Sequence, residues 1–188
     1  MDIRYKRFDY FNNKQSIKRI YNQSFPKNER FPFWILRHCG KNHNVELDAI
    51  LCDEALVGMQ FMVKYDDISY LMYFAIDENY RGLGIGREAL RNLVIREDNV
   101  LLCIEKPCAA DDVKTRRKSF YLRNGFYETG CCIEDTGVEY EVLSSIRNFK
   151  VNESVLRKRY TEMSSNFLIR YIIRRTFDVD SISFVRNS

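Results

Sequence analysis

Hydrophobic and polar positions change period several times along the 188-residue chain, and each change marks an element. Residues 2–8 alternate well enough for an edge strand. Ile17, Ile20, Tyr21 and Phe25 then recur at helical spacing, predicting a helix over residues 14–24 that Pro26 ends. A second short helix is expected from Phe33 to Cys39. From Val45 the period becomes strand-like. Residues 46–52, 55–64 and 69–76 are apolar runs separated by Asp53-Glu54 and Asp66-Asp67, which predicts a three-stranded antiparallel meander.

The third run feeds a glycine-rich turn, and Ile85, Ala89, Leu90, Leu93 and Val94 then define the buried face of a helix whose Arg87, Glu88, Arg91 and Asn92 point mostly outward. Residues 100–105 are continuously apolar and rich in β-formers, as a strand buried on both faces and parallel to its neighbour across that helix would be. Pro107 breaks the run. Asp111 or Asp112 can cap a helix over residues 113–124, which Gly125 stops in the left-handed conformation. Residues 130–133 and 138–144, joined by Glu134-Asp135-Thr136-Gly137, predict a closing hairpin. Farther on, Asn152 can cap one helix carrying Leu156, Tyr160, Met163, Phe167 and, at its far end, Tyr171 along a single stripe, before a strand candidate at 181–185.

Composition narrows the class. A 45% hydrophobic content with eight glycines and three prolines suits one domain with a substantial core. No run of about 18 apolar residues suggests a membrane span, and the first ten residues lack the features of a signal peptide, so a cytoplasmic location is expected. The cysteines at 39, 52, 103, 108, 131 and 132 form no C-x-x-C pair and are read as reduced; with His38 and His43 the only histidines, no metal site is expected. The net charge of +4 is uneven, because residues 147–188 carry nine Lys and Arg against four Asp and Glu. The body is nearly neutral and the tail is basic. A basic amphipathic helix can bind membrane or nucleic acid, but its stripe reads better as docked on its own domain, so neither partner is expected.

A strand that feeds a glycine-rich turn opening a helix aims backbone N–H groups at one point, a device for holding phosphate oxygens. Three loop types compete for this turn. A nucleoside-triphosphate loop needs Lys and Ser or Thr after its last glycine, whereas Gly86 is followed by Arg87 and Glu88. The dinucleotide fingerprint fits Gly84-Ile85-Gly86-Arg87-Glu88-Ala89, with Glu105 about 20 residues on, but residues 77–83 intervene after the strand and the upstream hairpins do not suit a doubly wound sheet. The third pattern is Arg/Gln-x-x-Gly-x-Gly/Ala, occupied by Arg81, Gly84 and Gly86 with Gly82 in addition. With Ser119-Phe120-Tyr121-Leu122-Arg123-Asn124-Gly125-Phe126, similar to a helix ending F-Y-x-x-x-G-F, it resembles the GNAT superfamily of N-acetyltransferases over roughly residues 1–145.

The resemblance implies an α/β (α+β) fold with a mixed, mostly antiparallel central sheet flanked by helices. It covers a domain at 1–146; the basic C-terminal helical extension at 147–188 lies beyond it and is expected, from its apolar stripe, to pack on that domain. It implies acetyl-CoA as co-substrate, held by Phe74, Ala75, Ile76, Arg81, Gly82, Leu83, Gly84, Ile85, Gly86 and Arg87, and an amine acceptor, a small molecule ahead of a protein, met by a monomer or homodimer. Tyr121 matches the tyrosine that protonates the departing thiolate. The family often has Asn seven residues before it, where this chain has Lys114; Lys114 and Arg117 are candidate cofactor contacts by charge. Glu105, ending the buried run, is the first choice for the base that takes the amine proton, with Asp77 and Glu29 as competitors. Phe31, Phe33 and Trp34 wall the acceptor site in this reading, or else cover the core. A non-catalytic acyl-CoA or nucleotide-binding module is the alternative function, and an NAD-binding protein the weaker one.

Overall fold

The computed structural model describes the chain apart from residues 109–111, 136, 178–182 and 186–188. Its strands are β1 (Ile3–Arg7), β2 (Val45–Cys52), β3 (Ala55–Tyr65), β4 (Ile68–Ile76), β5 (Val100–Glu105), β6 (Tyr127–Asp135), β7 (Val138–Ser144) and β8 (Ser183–Val185). Its helices are α1 (Lys14–Ser24), α2 (Phe33–Cys39), α3 (Ile85–Glu97), α4 (Asp112–Arg123), α5 (Glu153–Thr161) and α6 (Phe167–Phe177). The strands form one sheet in the order β1-β2-β3-β4-β5-β7-β6-β8, antiparallel throughout except between β4 and β5. This is the mixed, mostly antiparallel architecture expected from the element order.

Alternate strand residues feed two cores, as the pleat requires. Phe61, Tyr70, Leu101 and Val142 join a core with residues of α1, α2, α5 and α6, while Met62, Leu71, Leu102 and Leu143 join another with residues of α3 and α4. Helix α3 is fixed at its C-terminal end by charge. The Glu97 carboxylate accepts from Ser69 Oγ at 2.7 Å and pairs with Lys64 at 2.8 Å, and Arg96 pairs with Glu46 at 2.8 Å. Its N-terminus is thereby aimed along β4.

One irregularity in β4 shapes everything near it. Phe61 lies opposite Tyr73 but Met62 lies opposite Leu71, so Met72 is an extra residue on β4. A bulge bends the strand that carries it. β4 pairs with β5 only at Ser69↔Val100 and Tyr70↔Leu101, and beyond those two pairs the strands part.

Several expectations need correction. The single C-terminal helix is two, α5 and α6, because the chain turns after Thr161 and restarts on a new cap, the Asn166 side chain accepting from the N–H groups of Leu168 and Ile169. The restart shifts the helical phase: Leu156, Tyr160 and Met163 are buried as expected, but Ile169 and Ile173 face the core in place of Phe167 and Tyr171, which are exposed. Asn152 does cap α5, accepting from Val155 N–H at 2.9 Å. The closing hairpin starts at Tyr127 and crosses a bulge between Glu128 and Cys132 before reaching the expected run. Val94 is only half-buried. Of the strand expected at 181–185, residues 183–185 form β8 and 181–182 lie outside the described residues, as does Asp111.

Asp48 gives a measurable consequence of the polar layer under α3. Only 2% exposed, it accepts from Gln60 Nε2 at 2.9 Å, and burial, with the nearby Glu46 charge, raises its pKa from 3.8 to about 6 against the opposing Gln60, Arg7 and Arg96. A folded-state value above the unfolded one means the native state holds the proton more tightly, so stability is fully present below about pH 4 and falls as pH rises toward 6. The gap corresponds to about 3 kcal/mol. Asp48→Asn should raise stability at pH 7 by up to that amount and flatten the decline between pH 4 and 6. Urea unfolding of both proteins across that range checks this; parallel pH profiles would contradict it.

Candidate active site

Where β4 and β5 part, a cleft of about 1110 Å³ opens between them, the N-terminus of α3 and the length of α4. Of the residues singled out in the sequence, Phe74, Ala75, Ile76, Arg81, Gly82, Gly84, Gly86, Arg87, Arg117 and Tyr121 line it. Leu83, Ile85, Lys114 and Glu105 do not. Leu83 is 61% exposed, Ile85 is buried under α3, and Lys114 and Glu105 are paired with one another at 3.4 Å.

The glycine turn is built by backbone conformation. Gly84 caps α3 at φ +78°, a left-handed position that a branched residue occupies only under strain. A Cβ on Gly86 would come within 3.3 Å of Ile76 and 3.5 Å of Phe120, so a hydrogen there keeps the floor of the cleft open. The first intrahelical bond runs from Glu88 N–H to the Gly84 carbonyl, and the N–H groups of Ile85, Gly86 and Arg87 precede it at the positive end of the helix. Arg81 Nε donates to the Ile76 carbonyl at 3.1 Å, tying the turn back to the end of β4.

Charge is distributed very unevenly in this wall. Arg81, Arg87, Arg116, Arg117 and Arg123 all line the cleft, and among the described residues that line it there is no Asp or Glu. The inner part, around Leu71, Met72, Leu102 and Ile104, is apolar. Such a cleft suits an elongated molecule with anionic groups at one end and a less polar arm. Arg123 was missed in the sequence, although Arg116, Phe120 and Arg123 follow the i, i+4, i+7 spacing of one helix face. Met72, Cys103 and the α1 end at Gln23, Ser24 and Phe25 were also missed, since only the parting of the strands brings them to the cleft.

Tyr121 sits where the arm of such a molecule would end. Its ring packs edge-on against Phe120 and Phe126, with centroids at 5.3 and 5.6 Å. Burial pushes its phenol up to about 12 against the opposing charge of Arg117, so the hydroxyl keeps its proton through the neutral range. The three carboxylates weighed from sequence have separate surroundings. Asp77 is engaged by Arg19 at 2.7 Å and by the backbone and side-chain N–H groups of Asn79. Glu105 has one oxygen 3.4 Å from Lys114 and the other 3.7 Å from Arg117.

Glu29 is held by its backbone. The Tyr73 hydroxyl donates to the Glu29 carbonyl at 3.2 Å and accepts from Phe31 N–H at 3.3 Å, while the Tyr21 hydroxyl donates to the Phe31 carbonyl at 3.1 Å. Burial raises the Glu29 carboxyl above its ordinary value, the Glu105 charge adds to this, and Arg117 and Lys114 oppose it. The Tyr140 phenol is raised by burial first and then by Glu29, Asp135 and Glu105. Glu29, Glu105 and Tyr140 therefore form one electrostatic cluster. Phe31 is buried and Trp34 exposed, so these two aromatics divide between core and surface.

Residues 44–128 match the family model described as the acetyltransferase (GNAT) domain. Among solved structures, the chain is similar to a protein of Bacteroides thetaiotaomicron assigned to the GNAT family of acetyltransferases, at 18% identity and a TM-score of 0.66, covering 93% of this chain and 96% of that one. It is similar to the ribosomal-protein-S18-alanine N-acetyltransferase of Escherichia coli at 12% identity and a TM-score of 0.57, over 80% and 100% of the two chains. An acetyltransferase of Bacillus subtilis in complex with CoA matches at 13% identity and a TM-score of 0.53, over 76% and 97%. At these identities the likeness is one of fold. No curated protein matches the chain significantly.

The carboxylate cluster is testable without any ligand. If the Glu105 charge helps raise Glu29, then Glu105→Gln should move the Glu29 titration toward its ordinary value, followed by carbon-detected NMR of the labelled carboxyl. A Glu29 titration unmoved by the change would show that the two side chains do not sense one another.

Proposed function

We propose, from the match of residues 44–128 to the acetyltransferase (GNAT) domain, that the chain transfers the acetyl group of acetyl-CoA to an amine, directly within a ternary complex. The observation that carries this reading is the cleft itself: five arginines and a helix N-terminus, an apolar part around Leu71, Met72, Leu102 and Ile104, and the Tyr121 phenol of α4, raised by burial.

In this reading the N–H groups of Ile85, Gly86 and Arg87 hold the pyrophosphate, with Arg116 and Arg123 as the cations for the remaining phosphate, while Arg117 is engaged with Glu105. The β4 edge at Phe74, Ala75 and Ile76, which has no strand partner toward β5, accepts the pantetheine arm as an added strand and offers a backbone N–H to the thioester oxygen. Transfer then requires two proton movements. The amine must lose a proton before or as its nitrogen bonds the acetyl carbon, and the Glu29–Glu105 cluster takes it, through water where it does not reach directly. Glu29 is assigned the proton, since burial raises its carboxyl while both Glu105 oxygens are engaged by cations. As the carbon–sulfur bond breaks, Tyr121 gives its proton to the thiolate.

The acceptor would approach from the side of residues 25–31 and the β6–β7 hairpin. A small-molecule amine is favoured over a protein one, although a fold neighbour is named for acting on an alanine of ribosomal protein S18. Thiol release from acetyl-CoA with a panel of polyamines, amino sugars, amino acids and peptides decides both points. Binding without turnover on any amine would leave a regulatory acyl-CoA-binding module in its place.

Coenzyme A at 100 times its dissociation constant should stabilise the protein by about 2.7 kcal/mol, and NAD should not. Gly84→Val should remove that shift while the protein still unfolds cooperatively, because the strained cap displaces the N–H groups. An unchanged shift in the variant would detach the turn from the binding site.

Tyr121→Phe keeps the ring contacts with Phe120 and Phe126 and removes only the hydroxyl. Turnover should fall by about 10²–10⁴ while coenzyme A binding changes little. Turnover near wild type would reduce Tyr121 to a packing role.

A further inference from the structure

The outward face of α6 is exposed and apolar at its centre, and the proposed acetyl transfer leaves it unused. Phe167 is 85%, Leu168 63% and Tyr171 51% exposed, although Ile169 and Ile173 on the same helix are buried in the core. At 100° per residue the outward residues run around the helix in the order Arg170, Arg174, Phe167, Tyr171, Arg175, Leu168. Two aromatic rings thus form the centre of the face, with arginines on both sides. No Asp or Glu occurs between Ser164 and Phe177.

We propose that this face docks the protein on an anionic membrane surface, with α6 lying in the plane of the headgroups. The charge complementarity is with lipid phosphates: the arginine stems extend past the rings to place guanidinium groups at the headgroup level, while Phe167, Tyr171 and Leu168 enter the acyl boundary. The face is convex, a single helix with protruding side chains, and so suits a deformable surface better than a pocketed one. A single-strand nucleic-acid site is a groove that tracks the backbone, with rings along it, whereas this face is one convex helix. Burial of Ile169 and Ile173 holds α6 against the domain. No helix among the described residues is long and apolar enough to cross a membrane, which agrees with docking on the surface.

The test is sedimentation of the full chain with vesicles of phosphatidylglycerol and phosphatidylcholine, and with phosphatidylcholine alone. Binding is expected only to the anionic vesicles, with affinity falling at least about tenfold between 50 and 500 mM NaCl as the charges are screened. The double variant Phe167→Ser, Tyr171→Ser should lose at least about tenfold in vesicle affinity while keeping wild-type thermal unfolding, since both side chains are exposed. Four results would overturn the proposal: no vesicle binding; equal binding to neutral vesicles; full binding by the double variant; or a face consumed elsewhere, by a single-stranded oligonucleotide or by a second copy in light scattering.

Discussion

The parting of β4 from β5 is the constraint on which the rest of the site depends. Two residue pairs join these strands, and the extra Met72 turns β4 away just beyond them. A sheet that stayed paired would satisfy its own edge and leave no room between α3 and α4. Because it does not, the β4 edge at residues 74–76 faces a cleft, Gly86 can lie close to Ile76 and Phe120, and Tyr121 reaches the point of divergence. The glycine turn has chemical meaning only because the strand before it ends unpaired.

That opening has a structural cost, since so short a ladder is a weak seam between β1–β4 and β5–β8. The C-terminal extension crosses the seam. Arg159 of α5 lies over the Tyr70 ring of β4 at 4.9 Å, contacts Cys103 Sγ of β5 at 3.8 Å and pairs with Asp135 of β6 at 3.2 Å. Tyr160 adds a second ring at 4.6 Å and a 2.8 Å bond to the same carboxylate. Burying a cation is expensive, and a buried ion pair is weak as a source of stability. What this one supplies is position: one guanidinium, fixed between two rings, addresses three strands that the sheet itself joins poorly. Cys103 also lines the cleft, so the staple stands directly behind it.

The meander, the glycine turn and α4 with its Gly125 stop were legible in the sequence because each is a local pattern: a period, a cap, a left-handed residue. The same is true of the cap at Asn152. The misread parts were not local. Nothing in Met72 marks it as a bulge, which arises from how β3 and β4 share register. The phase shift after Thr161 depends on a four-residue turn and a new cap at Asn166, so a stripe extrapolated from Leu156 and Tyr160 ran through Phe167 onto the wrong side of α6. Glu29 was only a competitor to Glu105 in the sequence for a related reason. Its place is set by Tyr73, 44 residues away, bonding to its carbonyl, and no pattern around residue 29 reports that contact.

The two kinds of charge at this site meet at α4. Arginines occupy the side between α3 and α4, where no Asp or Glu is among the described lining residues, while Glu29, Glu105 and Tyr140 gather near the ends of β5 and β7. In the proposed reading a polyanionic donor and a cationic amine would be drawn to different ends of one passage. Lys114 and Arg117 lie between the two groups and neutralise much of Glu105. Without them, two carboxylates at the acyl end would repel the anionic donor and hold an incoming ammonium too firmly in its charged form. With them, Glu105 is engaged by the cations of α4, and in the proposed reading Glu29, whose carboxyl is raised by burial, is the group left to accept a proton.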